Sequence, residues 1–358
     1  MSPDFQVRIV TVLIYAGVML GTFGLFVDLC SRLFGQYYPR TPAGSLLRVL
    51  FITLCSAMPV LPLLATIWFP GRAAELALRV AAVAGYGVFL HFLMPYRWGL
   101  RRVGAHDTGD RVRPLCAKVI LRETTIAVPS LSREAPLTFL VLSDLHCNRP
   151  DKLTLLRDAL GAMAEDPLPD GVLVLGDLTE KNEHLEPVLD LIAGLRSRHG
   201  TFLVRGNHEL EDGRDALIPD LAAARGITLL SNARRVLPEL DVCVLGVEGP
   251  WRKEPPPGDL TATGFTIGLT HSPDMVFSLA RAGVAVAVAG HTHGGGIPIP
   301  LIGPLLVPVR SGRFLRRGLF RYRGLLLYIT VGLGHFPGLR GRPGEIVRLR
   351  VVPAAATE

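Results

Sequence analysis

From Leu137 onward short apolar runs alternate with amphipathic segments: LTFLVLS, then DKLTLLRDALGAM, GVLVLG, HLEPVLDLIAGLRSR, TFLVRG and DALIPDLAAARG. The apolar runs are of strand length, and the segments between them carry a helical period, so the pattern reads βαβα. That rhythm confines the fold to the α/β class: a layered, mainly parallel β-sheet core with flanking helices. In such sheets ligands gather at the carboxyl ends of the strands. No internal repeat or low-complexity tract interrupts the pattern, and the Pro255–Gly258 run, PPPG, marks a loop.

The residues just after each apolar run are therefore the ones to inspect. LTFLVLS is followed by Asp144 and His146, GVLVLG by Asp177, and TFLVRG by Asn207, His208 and Glu209. FTIGLT is followed by His271, and VAVAVAG by His291 and His293. Singly, each has an ordinary structural explanation as a cap, a turn former or a hydrogen-bonding residue. Recurrence at the ends of five runs is what points to a shared site.

The chemistry of the set is coherent. In extended backbone, side chains at i and i+2 share a side, so Asp144 with His146, and His291 with His293, are each expected to converge. Gly290 and Gly294 to Gly296 leave room for the backbone to pass close to ions and an anionic substrate. Carboxylate and amide oxygens with four imidazoles suit Mn²⁺, Fe or Zn²⁺, and the donors outnumber one tetrahedral site. Two divalent ions sharing one carboxylate is the expected arrangement.

The ordered motifs DLH, GDLTE, GNHE, THS and GHTH resemble the calcineurin-like metallophosphoesterase superfamily, over about Leu137 to Pro353. The resemblance implies that Asp144, His146, Asp177 and His293 hold one ion and that Asp177, Asn207, His271 and His291 hold the other, with Asp177 as the bridge. It also implies that His208 protonates the leaving oxygen, with Glu180 orienting it, and that metal-activated water attacks the phosphoryl group in line. Cys147, beside His146, reads as a small packing residue instead of a nucleophile.

GHTHGGGIPIPLIG and GLGHFPGLRGRPGEIVRLRV resemble the bacterial membrane-anchored branch of this superfamily, which includes small phosphodiesterases and UDP-2,3-diacylglucosamine pyrophosphatase. Gly296 departs from that branch, standing where a glutamine is usual. The protein-phosphatase motif GDxVDRG is absent, since Lys181 and Asn182 follow Glu180, and this disfavours phosphoprotein substrates. The expected function is hydrolysis of a phosphodiester or pyrophosphate, in a lipid-linked substrate or alternatively a soluble nucleotide-type one. A non-hydrolytic metal-binding scaffold is the third reading, weakened by the intact Asn207, His208 and GHTH histidines.

Two features bear on substrate. Trp251, Arg252 and Lys253 offer a ring to stack a base and cations to grip a second phosphate, and equally suit a solvated loop; Asn207 and Trp251 are the candidate substrate-binding residues. The arginines at 310, 313, 316, 317, 321 and 323 suit anionic headgroups, or a solvated basic face. The formal net charge of +7 fits an acidic surface, while no motif recommends nucleic acid.

The first third of the chain is of another kind. Residues 1–98 carry ten charged side chains, whereas the whole chain has 38 Lys and Arg and 31 Asp and Glu. The runs 9–27 and 49–69 are uncharged and near the roughly 20 residues of a membrane span, and 76–94 is a third candidate despite Arg79. The expected organisation is a transmembrane region over 1–96, a basic connector over 97–135 and the metallophosphoesterase domain over 136–358. Arginines concentrate in the first loop (Arg32, Arg40, Arg48) and after the third run (Arg97, Arg101, Arg102). This predicts a multi-pass protein of the inner membrane, in contact with the lipid bilayer and with its catalytic domain in the cytoplasm. Five irregularly spaced cysteines agree with a reduced compartment.

Overall fold

The chain divides into two units, Met1–Arg97 with Pro298–Arg313, and Trp98–Ile297 with Phe314–Glu358. The computed structural model describes residues 3–34, 72–93, 99–103, 110–210, 213–251, 262, 264–299, 303–311, 314–334 and 343–354.

In the first unit α1 (Pro3–Phe34) packs against α2 (Arg72–Leu93). Small residues let the two backbones touch: a Cβ on Gly21 would collide with the backbone of Gly85, and one on Gly85 with that of Gly17. The Tyr86 hydroxyl donates to Leu13 O across the pair at 2.7 Å. Ile9, Val12, Leu13, Met19, Val80 and Val83 point outward and are exposed. Two of the three expected spans thus coincide with helices, while 49–69 lies outside the described residues. Among the described residues no helix is long and apolar enough to cross a membrane, so the three-span region finds no support there.

The second unit is built on two seven-stranded sheets, where the sequence pattern suggested one. The first has the order β2 (Arg111–Cys116), β3 (Val119–Val128), β16 (Gly344–Pro353), β4 (Leu137–Leu142), β5 (Gly171–Val174), β6 (Thr201–Leu203), β7 (Ile227–Leu229). The second runs β1 (Arg101–Arg102), β14 (Gly318–Tyr322), β15 (Leu325–Ile329), β11 (Val286–Ala289), β10 (Phe265–Thr270), β9 (Val242–Val247), β8 (Ala233–Leu237). The hairpin strands β12 (Gly296–Ile299) and β13 (Gly303–Leu306) belong to neither. Strands β4 to β7 and β9 to β11 are parallel, as the βαβ rhythm requires, while β2–β3, β16–β4, β8–β9 and β14–β15 are antiparallel pairs.

Apolar runs without alternation follow from burial on both faces. Phe139, Val141, Leu173 and Phe202 of the first sheet meet Val244, Ile267, Leu269 and Val288 of the second in one core. On the other face, Leu140, Leu142, Val172 and Val174 are covered by α3 (Pro150–Gly161), α4 (Leu185–Ala193) and α5 (Arg214–Ala223). Helix α4 buries Leu185, Val188, Leu189 and Ile192, the i, i+3, i+4, i+7 stripe of an amphipathic helix. Each such side chain contributes about 1.5–3 kcal/mol on burial. Pro150 opens α3 with its preset φ, and Asp151 complements the dipole in its first turn. A short sixth helix, α6 (Val276–Arg281), connects β10 to β11.

The expected connector over 97–135 is instead part of this fold. β2 and β3 form an antiparallel pair, and β3 lies parallel to β16 with Val119 level with Gly344. Val119, Leu121, Ile126 and Val128 are all buried.

Candidate metal centre

Parallel register brings the loops after five strands to one edge of the two sheets. Phe139–Leu142 lies level with Gly171–Val174, and Val172–Val174 with Thr201–Leu203. Ile267–Leu269 lies level with Val286–Val288 in the other sheet. Asp144 and His146 leave β4, Asp177 leaves β5, Asn207 and His208 leave β6, His271 leaves β10, and His291 and His293 leave β11. Three overlapping groups result, Asp144–His146–His293, His146–Asp177–His208 and Asp177–His271–His291, each with potential ligand atoms within 4.8 Å of one another.

The edges of these groups match the spacing of ligands about a common ion. Two atoms each about 2.0–2.2 Å from one ion lie roughly 3–3.5 Å apart. Asp177 Oδ2 is 3.1 Å from His271 Nε2 and 3.5 Å from His146 Nε2. His291 Nδ1 is 3.2 Å from His271 Nε2, and His293 Nε2 is 3.5 Å from Asp144 Oδ1. His271 Nδ1 must donate to Leu175 O at 2.6 Å, because a carbonyl can only accept. That bond fixes the ring and turns Nε2 toward the carboxylates.

Buried polar atoms with no hydrogen-bond partner among the described residues include His146 Nε2, His291 Nε2 and Asn207 Oδ1. Orphaned acceptors in a buried site are costly, and their convergence on two carboxylates fits divalent cations. Burial alone raises the Asp144 carboxyl, but His293 and His271 outweigh it and hold it below its ordinary range. Burial likewise raises Asp177, which His271 and His208 hold well below the carboxylate range. Burial works against a charge on His271, yet the Asp177 and Asp144 carboxylates push it up to about 10. Burial and the neighbouring His271 take His291 down to about 3, and burial takes His293 down to about 4. Both rings are thus neutral, the state in which an imidazole ligates.

The backbone differs from the expected extended form. β4 ends at Leu142, and Asp144, His146 and Asp177 take φ of 53°, 43° and 54°, with His291 at 69° and His293 at 48°. Convergence therefore comes from left-handed turns, at a cost of about 1–2 kcal/mol per residue. Hydrogen bonds hold them there: Asp144 N donates to Gly176 O at 3.0 Å, and His146 N to Asp177 O at 3.0 Å. His291 N donates to both Asp144 oxygens at 3.1 Å. Gly206 and Gly290 are required by close approach, since a Cβ at either would run into the Asp177 or Asp144 carboxylate.

The chain carries the mark of a known family over this same stretch. The profile of the calcineurin-like phosphoesterases matches residues 137–295. Phosphodiesterase YaeI of Escherichia coli (strain K12) is 32% identical over 228 residues, covering 61% of this chain and 83% of YaeI. The chain belongs to the calcineurin-like phosphoesterases. An uncharacterized metallophosphoesterase of Helicobacter pylori (strain J99) is 28% identical over 254 residues, 66% of this chain and 65% of that protein. The uncharacterized metallophosphoesterase YkuE of Bacillus subtilis (strain 168) is 27% identical over 208 residues, 54% and 70% respectively. As a calcineurin-like phosphoesterase the protein is a metal-dependent hydrolase of phosphate esters, and its family implies divalent metal ions.

Among the other candidate residues of this phosphoesterase, one takes a place the sequence did not predict. Glu180, expected on His208, has Oε1 3.4 Å from His146 Nδ1 and accepts from Asn148 Nδ2 at 2.8 Å. The bond with His146 is the main reason its carboxyl falls to about 2. Trp251 packs its ring 5.6 Å from that of His271 and 5.3 Å from that of His291, while Arg252 and Lys253 lie outside the described residues. Arg313 of the arginine cluster is likewise outside them. Cys147 is buried, and burial pushes its thiol up, in keeping with packing.

Two residues were not legible as parts of the site, and a third was legible without its role. Glu209, another metal-competent side chain in the sequence, turns to the backbone instead and accepts from Asp177 N at 2.8 Å, Leu178 N at 2.7 Å and Gly206 N at 2.6 Å. Lys152 Nζ donates to His146 O at 2.9 Å, and the fully buried Arg214 donates to His208 O through Nη2 at 2.8 Å. GNHE marked Glu209 as part of a motif; nothing local marked Lys152 or Arg214.

Proposed function

We propose that this phosphoesterase hydrolyses a phosphodiester or pyrophosphate bond at a two-ion centre. Asp144, His146, Asp177 and His293 would hold one ion, and Asp177, Asn207, His271 and His291 the other. The observation that carries the assignment is Asp177 Oδ2, which lies 3.1 Å from His271 Nε2, 3.5 Å from His146 Nε2 and 4.0 Å from His208 Nε2. One oxygen that near to histidines of both groups supports a bridging carboxylate. Bound divalent ions supply a water acidified toward pKa about 7 and positive charge against the phosphoryl oxygens.

The remaining chemistry falls to the chain. His208 donates its backbone N–H to Asp177 Oδ1 at 3.0 Å, while Arg214 grips its carbonyl. Both contacts support an imidazole held at a fixed distance from the bridge, placed to give a proton to the departing oxygen. Glu180, with Oε1 3.4 Å from His146 Nδ1, sets a negative charge beside that ring. The test is hydrolysis of bis-p-nitrophenyl phosphate beside p-nitrophenyl phosphate by the full chain, with Mn²⁺ and after chelation. Mn²⁺-dependent turnover of the diester is expected; turnover that survives complete metal removal would refute the reading.

We further propose a membrane-associated protein with a lipid-linked substrate, in preference to a soluble nucleotide. Its support is the uncharged run 9–27 and the glycine-packed pair α1 and α2, with apolar side chains outward. Small residues inside and apolar residues outside suit helices in contact with lipid. Flotation of the full chain with anionic vesicles tests the association, and hydrolysis of a lipid pyrophosphate against a cyclic nucleotide tests the substrate.

A further inference from the structure

We infer, resting on the two-ion reading, that Trp251 binds substrate by donating its indole N–H to a non-bridging phosphoryl oxygen of the bound ester. The segment leading to it is pinned. Glu248, after β9, donates its backbone N–H to Asn232 Oδ1 at 2.9 Å and accepts from Arg205 Nε at 3.1 Å. At Gly249 a Cβ would run into the carbons of the Trp251 indole. The ring therefore folds back over its own backbone, and only glycine at 249 permits this seat. Its other neighbours are the rings of His271, inclined at 70°, and His291, at 48°.

A tryptophan placed for packing alone would be expected within an apolar cluster. Trp251 belongs to neither of the two described core clusters. Its Nε1 is shielded from water and has no hydrogen-bond partner among the described residues. Indole N–H groups, when buried, ordinarily find an acceptor, and a donor left unpaired loses its hydration without return. A group beside two candidate metal-holding histidines that can donate and never accept is matched by an anionic oxygen. The phosphoryl group seated at those histidines supplies one. Because the bond is to the phosphate itself, Trp251 would serve monoesters, diesters and inorganic phosphate alike, whatever the ester group.

The experiment uses the full chain and Trp251→Phe, which keeps an aromatic ring and removes the N–H. In the zinc-loaded, ¹⁵N-tryptophan-labelled protein, the indole resonance missing from the variant identifies Trp251 among three tryptophans. Adding inorganic phosphate should move that resonance downfield. In the Mn²⁺-loaded enzyme, Trp251→Phe should keep the metal content and melting temperature of wild type. Its KM for bis-p-nitrophenyl phosphate and its inhibition constant for phosphate should each rise about tenfold, the scale of one hydrogen bond to a charged group. The inference is overturned if the resonance stays fixed while phosphate inhibits wild type, or if the variant binds phosphate as tightly as wild type. A wild-type protein that takes up no metal overturns instead the two-ion reading beneath it.

Discussion

Glu209 offers the sharpest test of how the loops are held. Its carboxylate is buried and accepts three backbone N–H groups, two from the turn after β5 and one from the turn after β6. Glu209→Ala leaves three buried donors unpaired, at about 1–3 kcal/mol each. Relief of a buried charge offsets part of this, since burial and Asp177 both push the Glu209 carboxyl up. The expected net loss is about 2–4 kcal/mol, or roughly 5–10 °C in melting temperature for a unit of this size. Glu209→Gln keeps one acceptor oxygen but sets its amide against a backbone N–H, so a loss of about 1–3 kcal/mol is expected. Circular dichroism melting of chelator-treated protein is the deciding assay. Were Glu209 a metal ligand, as its place in the motif allows, both variants would melt like wild type without metal and differ only when metal is present. Equal melting of chelated wild type and Glu209→Ala would refute the positioning role.

Asp177→Asn and His291→Ala should each abolish diester hydrolysis and lower bound metal; two tightly held ions in both variants, by elemental analysis, would sink the ligand assignment. His208→Ala should keep its metal and lose about 10²- to 10⁴-fold in rate, less on p-nitrophenyl esters, whose leaving group needs no proton; a uniform loss across leaving groups would argue against a general acid. Burial first, and Glu345 second, hold the Tyr328 phenol well above its ordinary pKa of 10.0. The unfolded chain therefore releases this proton first. Above pH about 10 stability should fall by up to about 1.4 kcal/mol per pH unit from this group, and denaturant titrations of Tyr328→Phe should show a shallower alkaline limb.

What the sequence disclosed depended on whether the signal was local. The gathering of the candidate ligands was legible because each follows an apolar run, and parallel strands must discharge their loops on one side. The turns themselves were not. Aspartate and histidine enter left-handed conformations only when the surroundings hold them, and for Asp144 the holding groups are Gly176 O and His291 N. The strands within 97–135 are hard to read because charges conceal the alternation, and because one of the two partners of β3, β16, lies more than two hundred residues later. The second sheet was invisible for a related reason: a run buried on both faces has the same composition whether a helix or another sheet covers it.

The two sheets also bear on the proposed sharing of one carboxylate. The turns of the first sheet supply Asp144, His146, Asp177 and Asn207, while those of the second supply His271, His291 and His293. Each group of candidate ligands that contains a histidine from the second sheet completes itself with an aspartate from the first. His271 reaches both, at 3.1 Å from Asp177 Oδ2 and 3.9 Å from Asp144 Oδ1. The imidazoles of the second sheet thus have no carboxylate of their own within these groups, and the aspartates draw positive charge from both sheets, Asp177 from His271 and His208 and Asp144 from His293 and His271. A divalent ion at this seam would ligate to both sheets at once. The left-handed strain at Asp177 then has a physical purpose: a strand-like φ would carry its carboxylate along β5, whereas the turn sends Oδ2 across to His271.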